Sequence, residues 1–361
     1  MLPLTLGPPS YREQSGFRMR IEDSVRDTVV FLGFPSNDPA KGGIDCVGTG
    51  FLLLYDDFPY LITVRHVAEF LGNDPFLIRV NRYDGGSDNI RVDTARWYYD
   101  LDPAIDIAVI PFDLPHKKEH WGRYIDDKKE TWWWNKARKY DVGIGDFCYT
   151  VGLFRLLAGS KRNMPIVHFG TIARTVSWGE EKIPIRDWRD PAGGKTIQVD
   201  AYLIESQSLS GLSGAPVFVR AANQQITDEL IKHNPHLHPS EMGDAVAQWH
   251  LHLLGVWQGA WDAPPDEVLG AEVGKEVRVP VGIGVVIPAD HIHSVLEDDD
   301  LKKERERLRG QSPNAASLDV ANVARPKRAA DSVNDANPNH LADFTRLVDV
   351  AARKRPQGDQ T

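Results

Sequence analysis

Short apolar runs closed by Gly, Pro, Asn or Asp dominate the first third of the chain. Thr28-Val29-Val30-Phe31-Leu32-Gly33, Gly50-Phe51-Leu52-Leu53-Leu54-Tyr55 and Tyr60-Leu61-Ile62-Thr63-Val64 are the clearest. Such runs, bounded by turn formers, predict buried strands rather than helices. Asp56-Asp57-Phe58-Pro59 predicts the turn joining two of them. Further strands are expected over residues 76–82, 89–97 and 107–112.

The pattern breaks over residues 113–142, a polar and aromatic stretch that contains Trp132-Trp133-Trp134 and reads as a packed connector. A second strand-rich block follows, with runs at 146–152, 166–170, 196–203, 215–219, 252–257 and 281–287. A polar insertion over 221–250 interrupts it, with a helical stretch at 228–232. Pro288-Ala289-Asp290 opens a closing helix that runs through Leu296 to Arg307. Residues 310–338, rich in Ser, Asn, Ala and Pro, read as flexible linker, and 341–352 as a terminal amphipathic helix. These shifts divide the chain into an arm (1–26), a first β unit (27–125), a second β unit (126–295) and a tail (296–361).

Composition narrows the class. At 361 residues the chain can bury two cores, and 42% hydrophobic with 26% charged residues is ordinary for a globular protein. The net charge of -9 argues against a nucleic-acid partner. From residue 301 onward 12 Lys and Arg stand against 8 Asp and Glu, so the tail carries +4 and the remainder -13. A basic helix after a linker suits either docking on its own body or a regulatory protein partner. Only two cysteines, Cys46 and Cys148, no secretory leader and no apolar stretch of membrane length point to a cytoplasmic protein with no membrane contact. His233, His236 and His238 in the insertion match no zinc spacing, so no metal or other cofactor is expected.

Three segments carry candidate chemistry. In Ser210-Gly211-Leu212-Ser213-Gly214-Ala215-Pro216 a serine stands between glycines ahead of an apolar strand. A serine hydroxyl is a weak nucleophile and needs an exposed turn that a base can reach. Flanking glycines let backbone N–H groups of Gly211 and Ser213 converge where an oxyanion forms. Leu61-Ile62-Thr63-Val64-Arg65-His66 is expected as a buried strand that ends in a histidine, with a Gly48-Thr49-Gly50-Phe51 turn upstream. Asp106 immediately precedes the apolar run Ile107-Ala108-Val109-Ile110, where a charge is costly unless paired. An imidazole N–H is its natural partner. Asp100 and Asp102 read as solvated loop residues.

Together these motifs, in the order His66, Asp106, Ser213, resemble those of the chymotrypsin-like serine proteases. Gly145–Gly152, Ile197–Ala201 and Gly282–Pro288 resemble strands of the bacterial HtrA (Deg) branch, without a PDZ domain. The resemblance covers residues 27–295 and implies an all-β fold of two six-stranded antiparallel barrels, with a C-terminal helix and flexible tail. It implies a serine endopeptidase acting on a protein or peptide through an acyl-enzyme. Val256-Trp257-Gln258-Gly259 resembles the edge strand that pairs with substrate, and that strand, Gly284 and Gln207 would wall the specificity pocket. No acidic residue stands at the expected pocket base, which implies an uncharged side chain there. Two positions depart from the family: Ala215 replaces the usual glycine, and Leu212 stands where trypsin-like zymogens carry aspartate. Activation by a freed amino terminus is thereby excluded. Two alternatives stay open: a latent protease switched on by a partner, and an inactive binding module on the same fold.

Overall fold

The computed structural model describes residues 21–115, 118–130, 142–176, 181–190, 195–222, 232, 249–263 and 279–311. The chain divides into two compact units, Met1–Gly310 and Gln311–Thr361. The tryptophan run, the histidine-bearing part of the insertion, the expected linker and the terminal amphipathic segment lie outside the described residues.

The first β unit follows a one-turn helix α1 (Asp23–Arg26), carries a short helix α2 (Arg65–Leu71) and is followed by a one-turn helix α3 (Asp127–Glu130). Its strands are β1 (Val29–Pro35), β2 (Ile44–Tyr55), β3 (Phe58–Thr63), β4 (Phe76–Asn81), β5 (Ser87–Val92), β6 (Tyr98–Tyr99), β7 (Ala108–Pro111) and β8 (Ile125–Asp126). They form an eight-stranded sheet in the order β5-β4-β1-β2-β3-β7-β6, with β8 added parallel to β2. Phe31, Phe51, Leu61 and Ile62 fill its core without exposed surface. The turn between β2 and β3 is tighter than the sequence suggests. Tyr55 pairs with Phe58, so only Asp56 and Asp57 turn, at φ 53° and 69°. Positive φ at both central positions is what a two-residue hairpin loop requires, and Asp tolerates it better than most residues.

The second β unit comprises β9 (Phe147–Gly152), β10 (Ile166–Arg174), β13 (Tyr202–Glu205), β14 (Pro216–Ala222), β15 (Trp249–Ala263) and β16 (Val279–Pro288). These close into a six-stranded antiparallel barrel in the order β10-β13-β16-β15-β14-β9. A small separate sheet pairs β11 (Ile183–Arg186) with β12 (Thr196–Val199). The all-β fold of two units is thus the one the sequence implies, and the second closes as a six-stranded antiparallel barrel, whereas the first has eight strands rather than six, one of them parallel. The closing helix is two helices, α4 (Ala289–Leu296) and α5 (Asp299–Gln311), broken around Glu297. No described helix is long and apolar enough to cross a membrane.

One buried cation ties the first β unit to a loop of the second. Arg79 on β4 has no exposed surface. Its guanidinium donates to Asn89 Oδ1 (3.1 Å), to the Gly159 carbonyl (2.8 Å) and to the Lys41 carbonyl (2.8 Å), and also to the carbonyl of Gly42. Asn163 extends the seam by donating its side-chain N–H to the Arg79 carbonyl. The loop so anchored begins at the 3-10 turn Arg155–Leu157, which touches the candidate nucleophile's turn. Replacing Arg79 by Leu removes the shared donor from the carbonyls of Lys41, Gly42 and Gly159. Denaturant unfolding of Arg79→Leu is expected to show a loss of about 3 kcal/mol, by the loss of several hydrogen bonds from a charged donor to part-buried acceptors. An unchanged midpoint would contradict this.

Candidate active site

His66 is not at a strand end. Strand β3 stops at Thr63, Val64 caps a short helix α2 (Arg65–Leu71), and His66 lies in that helix's first turn. The site needs this helix because the first N–H groups of a helix have no partner within it. The His66 N–H donates to Asp106 Oδ1 at 2.9 Å, while the imidazole Nδ1 meets Asp106 Oδ2 at 2.7 Å. One carboxylate therefore holds the histidine by backbone and ring together. Asp106 has no exposed surface, whereas the His66 side chain keeps 30% of its own. Burial alone would depress the imidazole pKa. The Asp106 charge and hydrogen bond, with Glu69 one helical turn on, outweigh it and raise the value above 6.5.

Arg65 pairs with Glu69 at 2.7 Å and lies over the Tyr99 ring, steadying the same helix. The loop that presents Asp106 is held from the second β unit. Asp100 is buried rather than solvated: its carboxylate meets His291 Nδ1 of α4 at 3.0 Å and accepts the Asp102 N–H. A carboxylate beside the β6 edge gains that partner only through the fold, so its run of acidic neighbours gave no sign. Asp102 stays half-exposed and lies 4.0 Å from Lys182. Arg189 donates to the Pro103 carbonyl at 2.9 Å.

Ser213 lies in the turn before β14, and its surroundings bring it to the His66 helix. A Cβ on Gly48 would meet Val67 at 2.9 Å and the Ser213 carbonyl at 3.4 Å. A Cβ on Gly214 would meet the Thr63 hydroxyl at 2.3 Å and the Thr49 carbonyl at 2.1 Å, and Gly214 has φ +86°. Only glycine fits there, on both counts. The Gly48–Phe51 segment expected as a turn is instead continuous strand within β2, and it forms the wall behind the serine.

Accounting for the turn's backbone identifies what remains open. The carbonyls from Ser210 to Ser213 are occupied: Ser210 by the Arg155 N–H (3.0 Å), Gly211 by the Thr49 hydroxyl (2.7 Å), Leu212 by the Ala215 N–H (2.8 Å) and Ser213 by the Thr49 N–H (2.9 Å). The Leu212 and Gly214 N–H groups donate to the Leu209 and Trp257 carbonyls. From Gly211 through Gly214, only the N–H groups of Gly211 and Ser213 have no acceptor among the described residues. The Ser213 hydroxyl itself donates to the Gln258 carbonyl at 3.3 Å, not to the imidazole.

The residues expected to face a substrate divide. Strand β15 is paired with β14 as far as Val256, and with β16 on its other side from Gly255 to Ala263. Val256 and Trp257 therefore lie inside the barrel wall, with side chains in the core. The Trp257 indole lies over Gly284, where a Cβ would be 2.2 Å from the ring. Gln258 and Gly259 fall where β15 passes the end of β14, and from there to Ala263 no strand pairs with that side among the described residues, starting at the serine. Gln207 is exposed beside the turn. The edge is thus 258–263 rather than the Val256–Gly259 stretch, a shift that depends on where β14 begins and is invisible in the sequence. Cys46 and Cys148 are free and buried, and burial pushes their thiols up to about 11 and about 12, so neither is a nucleophile at neutral pH. Among the described residues no cluster of His, Cys, Asp or Glu could hold a metal ion.

The chain thus pairs an Asp-buttressed histidine on the first β unit with a glycine-flanked serine on the closed six-stranded barrel of the second. No family model and no curated protein matches the chain. Among solved structures it is similar to the Rv3671c protease of M. tuberculosis in its active form, at 17% identity over 76% of this chain and 81% of that one, TM-score 0.39. The inactive form of that protease gives 16% identity over 76% and 89% of the two chains, TM-score 0.37. The HtrA-type protease AlgW, solved with a decapeptide, gives 17% identity over 76% of this chain and 65% of that one, TM-score 0.37.

The raised His66 pKa has a definite sign. Because the folded value lies above the unfolded one, the charged His66–Asp106 pair adds stability fully below pH 6.5 and loses it as pH rises through the folded value. NMR titration of the His66 ring is expected to give a midpoint above 6.5, and Asp106→Asn to bring it below 6.5, where burial dominates. A midpoint unmoved by Asp106→Asn would contradict the assignment.

Proposed function

We propose that the chain is a serine endopeptidase in which Ser213 is the nucleophile, His66 the general base and Asp106 its orienting carboxylate. The observation that carries this reading is the pairing of the His66–Asp106 unit with a serine turn whose only open N–H groups are those of Gly211 and Ser213. In the reaction the Ser213 hydroxyl turns from the Gln258 carbonyl to His66 Nε2. Oγ bonds to the scissile carbonyl carbon as its proton passes to the imidazole. The carbonyl electron pair becomes an oxyanion held by the Gly211 and Ser213 N–H groups, an interaction worth about 3 kcal/mol per donor. Collapse breaks the C–N bond, and His66 gives its proton to the departing amine. Water then attacks the ester, with its proton again passing to His66; collapse breaks the C–Oγ bond, His66 returns the proton to Ser213 Oγ, and the acid product leaves.

Substrate main chain would add as an extended strand to the free edge at 258–263. Gly259 has open space where a side chain would lie, so a neighbouring chain can approach closely. With Gln207 exposed and Trp257 covering Gly284, the pocket favours an uncharged side chain. The two free buried thiols suit a reducing compartment, which supports work inside the cell. One observation favours a second reading, a latent protease awaiting a partner at the tail: the serine hydroxyl is bonded to Gln258 and not to the histidine.

A fluorophosphonate probe tests both. Ser213 Oγ bonds to phosphorus, the P–F bond breaks, fluoride leaves and the hydroxyl proton goes to His66. Wild type is expected to label, with a rate that rises with pH through the His66 midpoint above 6.5. Ser213→Ala should not label, and His66→Ala and Asp106→Asn should slow it by about 10⁴-fold. Folded wild type that fails to label alone, yet labels once a partner is added, would favour latency. Labelling that survives Ser213→Ala would overturn the assignment.

A further inference from the structure

Thr49 carries no charge, no nucleophile at neutral pH and no exposed surface, and the proposed chemistry gives it no part. Four hydrogen bonds nevertheless converge on it. Its N–H donates to the Ser213 carbonyl at 2.9 Å, and its hydroxyl donates to the Gly211 carbonyl at 2.7 Å. That hydroxyl accepts the Leu153 N–H at 2.9 Å, and the Thr49 carbonyl accepts the Thr63 hydroxyl at 2.7 Å. One residue of β2 in the first unit thus pins the carbonyls of both residues whose N–H groups stay open. The same residue binds Leu153, which leads into the 3-10 turn whose Arg155 N–H pins Ser210.

The geometry makes the hydroxyl the informative atom. In a trans peptide the C=O and N–H point to opposite sides of one plane. The Gly211 N–H therefore points away from the Ser210 carbonyl, and it keeps that direction only if neither ψ of Ser210 nor φ of Gly211 swings, that is, only if the peptides on both sides of the Gly211 Cα stay put. Gly211, at φ +104°, is where the chain is freest to swing. The Arg155 N–H fixes the peptide before it and the Thr49 hydroxyl the peptide after it. Without the hydroxyl the turn is held on one side only. The Ser213 carbonyl, held by the Thr49 backbone, is untouched by a side-chain change.

We propose that Thr49 is a positioning residue for the reaction: its hydroxyl holds the Gly211 N–H in the direction that receives the oxyanion. This rests on the serine-hydrolase reading above. The test compares wild type, Thr49→Val and Thr49→Ser with a fluorophosphonate probe, separating the limiting labelling rate (kinact) from the probe's binding constant (KI). Val keeps the shape and loses both hydrogen bonds of the hydroxyl, while Ser keeps them. Thr49→Val is expected to lower kinact by about 10-fold or more with KI within about twofold, as when an oxyanion donor is lost in part. Thr49→Ser should restore kinact to within about twofold of wild type. The pH of half-maximal labelling, set by His66 and Asp106, should stay at its wild-type value in both.

Because kinact is a rate per reactive site, an unfolded fraction of Thr49→Val lowers the labelled amplitude and leaves kinact readable. Thr49→Val labelling at the wild-type kinact would overturn the inference and leave the hydrolase reading intact. A loss that Ser does not restore, or one that moves with the pH midpoint, would likewise overturn it by marking a general loosening of the site. Folded wild type that fails to label, alone and with a partner added, would instead remove the hydrolase reading and this inference with it.

Discussion

A carboxylate with no exposed surface is tolerated only where donors surround it, and the active-site region is organised around meeting that demand for Asp106. Both donors come from one residue, the backbone N–H and ring of His66. That is possible because β3 stops at Thr63 and the chain turns at once into a helix whose first N–H groups are unspent. Break the helix start and the carboxylate loses a partner, while the imidazole loses the contact that sets its tautomer. The same loop is braced from the second unit by His291 on Asp100 and by Arg189 on Pro103, so the acid is fixed relative to both β units.

The seam between the units is polar where it matters. Arg79 holds the loop that runs from Gly159 back to Arg155, and Thr49 holds the serine turn from behind. Beyond the seam, Arg305 of α5 is buried against the first unit, donating to the Tyr60 hydroxyl at 3.1 Å and to the Leu296 carbonyl at 2.7 Å and lying over the Tyr55 ring. Arg309 donates to the carbonyl of Asp56 at the strained hairpin tip. The helix pair that leaves the barrel thus returns to clasp the unit carrying His66.

Much of this was legible along the chain because burial leaves a local signature. Phe51–Leu54 and Leu61–Ile62 are apolar runs between turn formers, and such runs become strands wherever the core is. The three proposed catalytic side chains stand out because each breaks its context: a charge before an apolar strand, a histidine after one, a serine between glycines. What escaped depends on pairing across long separations. Thr49 meets Gly211 only in the folded chain, and nothing distinguishes its hydroxyl from any other in a strand. Asp100 looked solvated because its partner His291 lies far along the sequence. Trp257 looks like a substrate contact and is core, because its backbone is still bonded to Gly214 and Ala215 and its ring lies over Gly284. His66 was placed on a strand because Val64 extends the apolar run past the point where the hydrogen bonding changes.

The central claim is that Ser213 is the reacting atom's bearer and that the Gly211 and Ser213 N–H groups receive the charge it creates. The most direct measurement is a crystal structure of the protein after reaction with a fluorophosphonate. The account predicts continuous density from Ser213 Oγ to phosphorus, with one phosphonyl oxygen within about 3 Å of both amide nitrogens and His66 still bonded to Asp106. An adduct on any other residue, or a phosphonyl oxygen directed to solvent with both N–H groups left open, would contradict it.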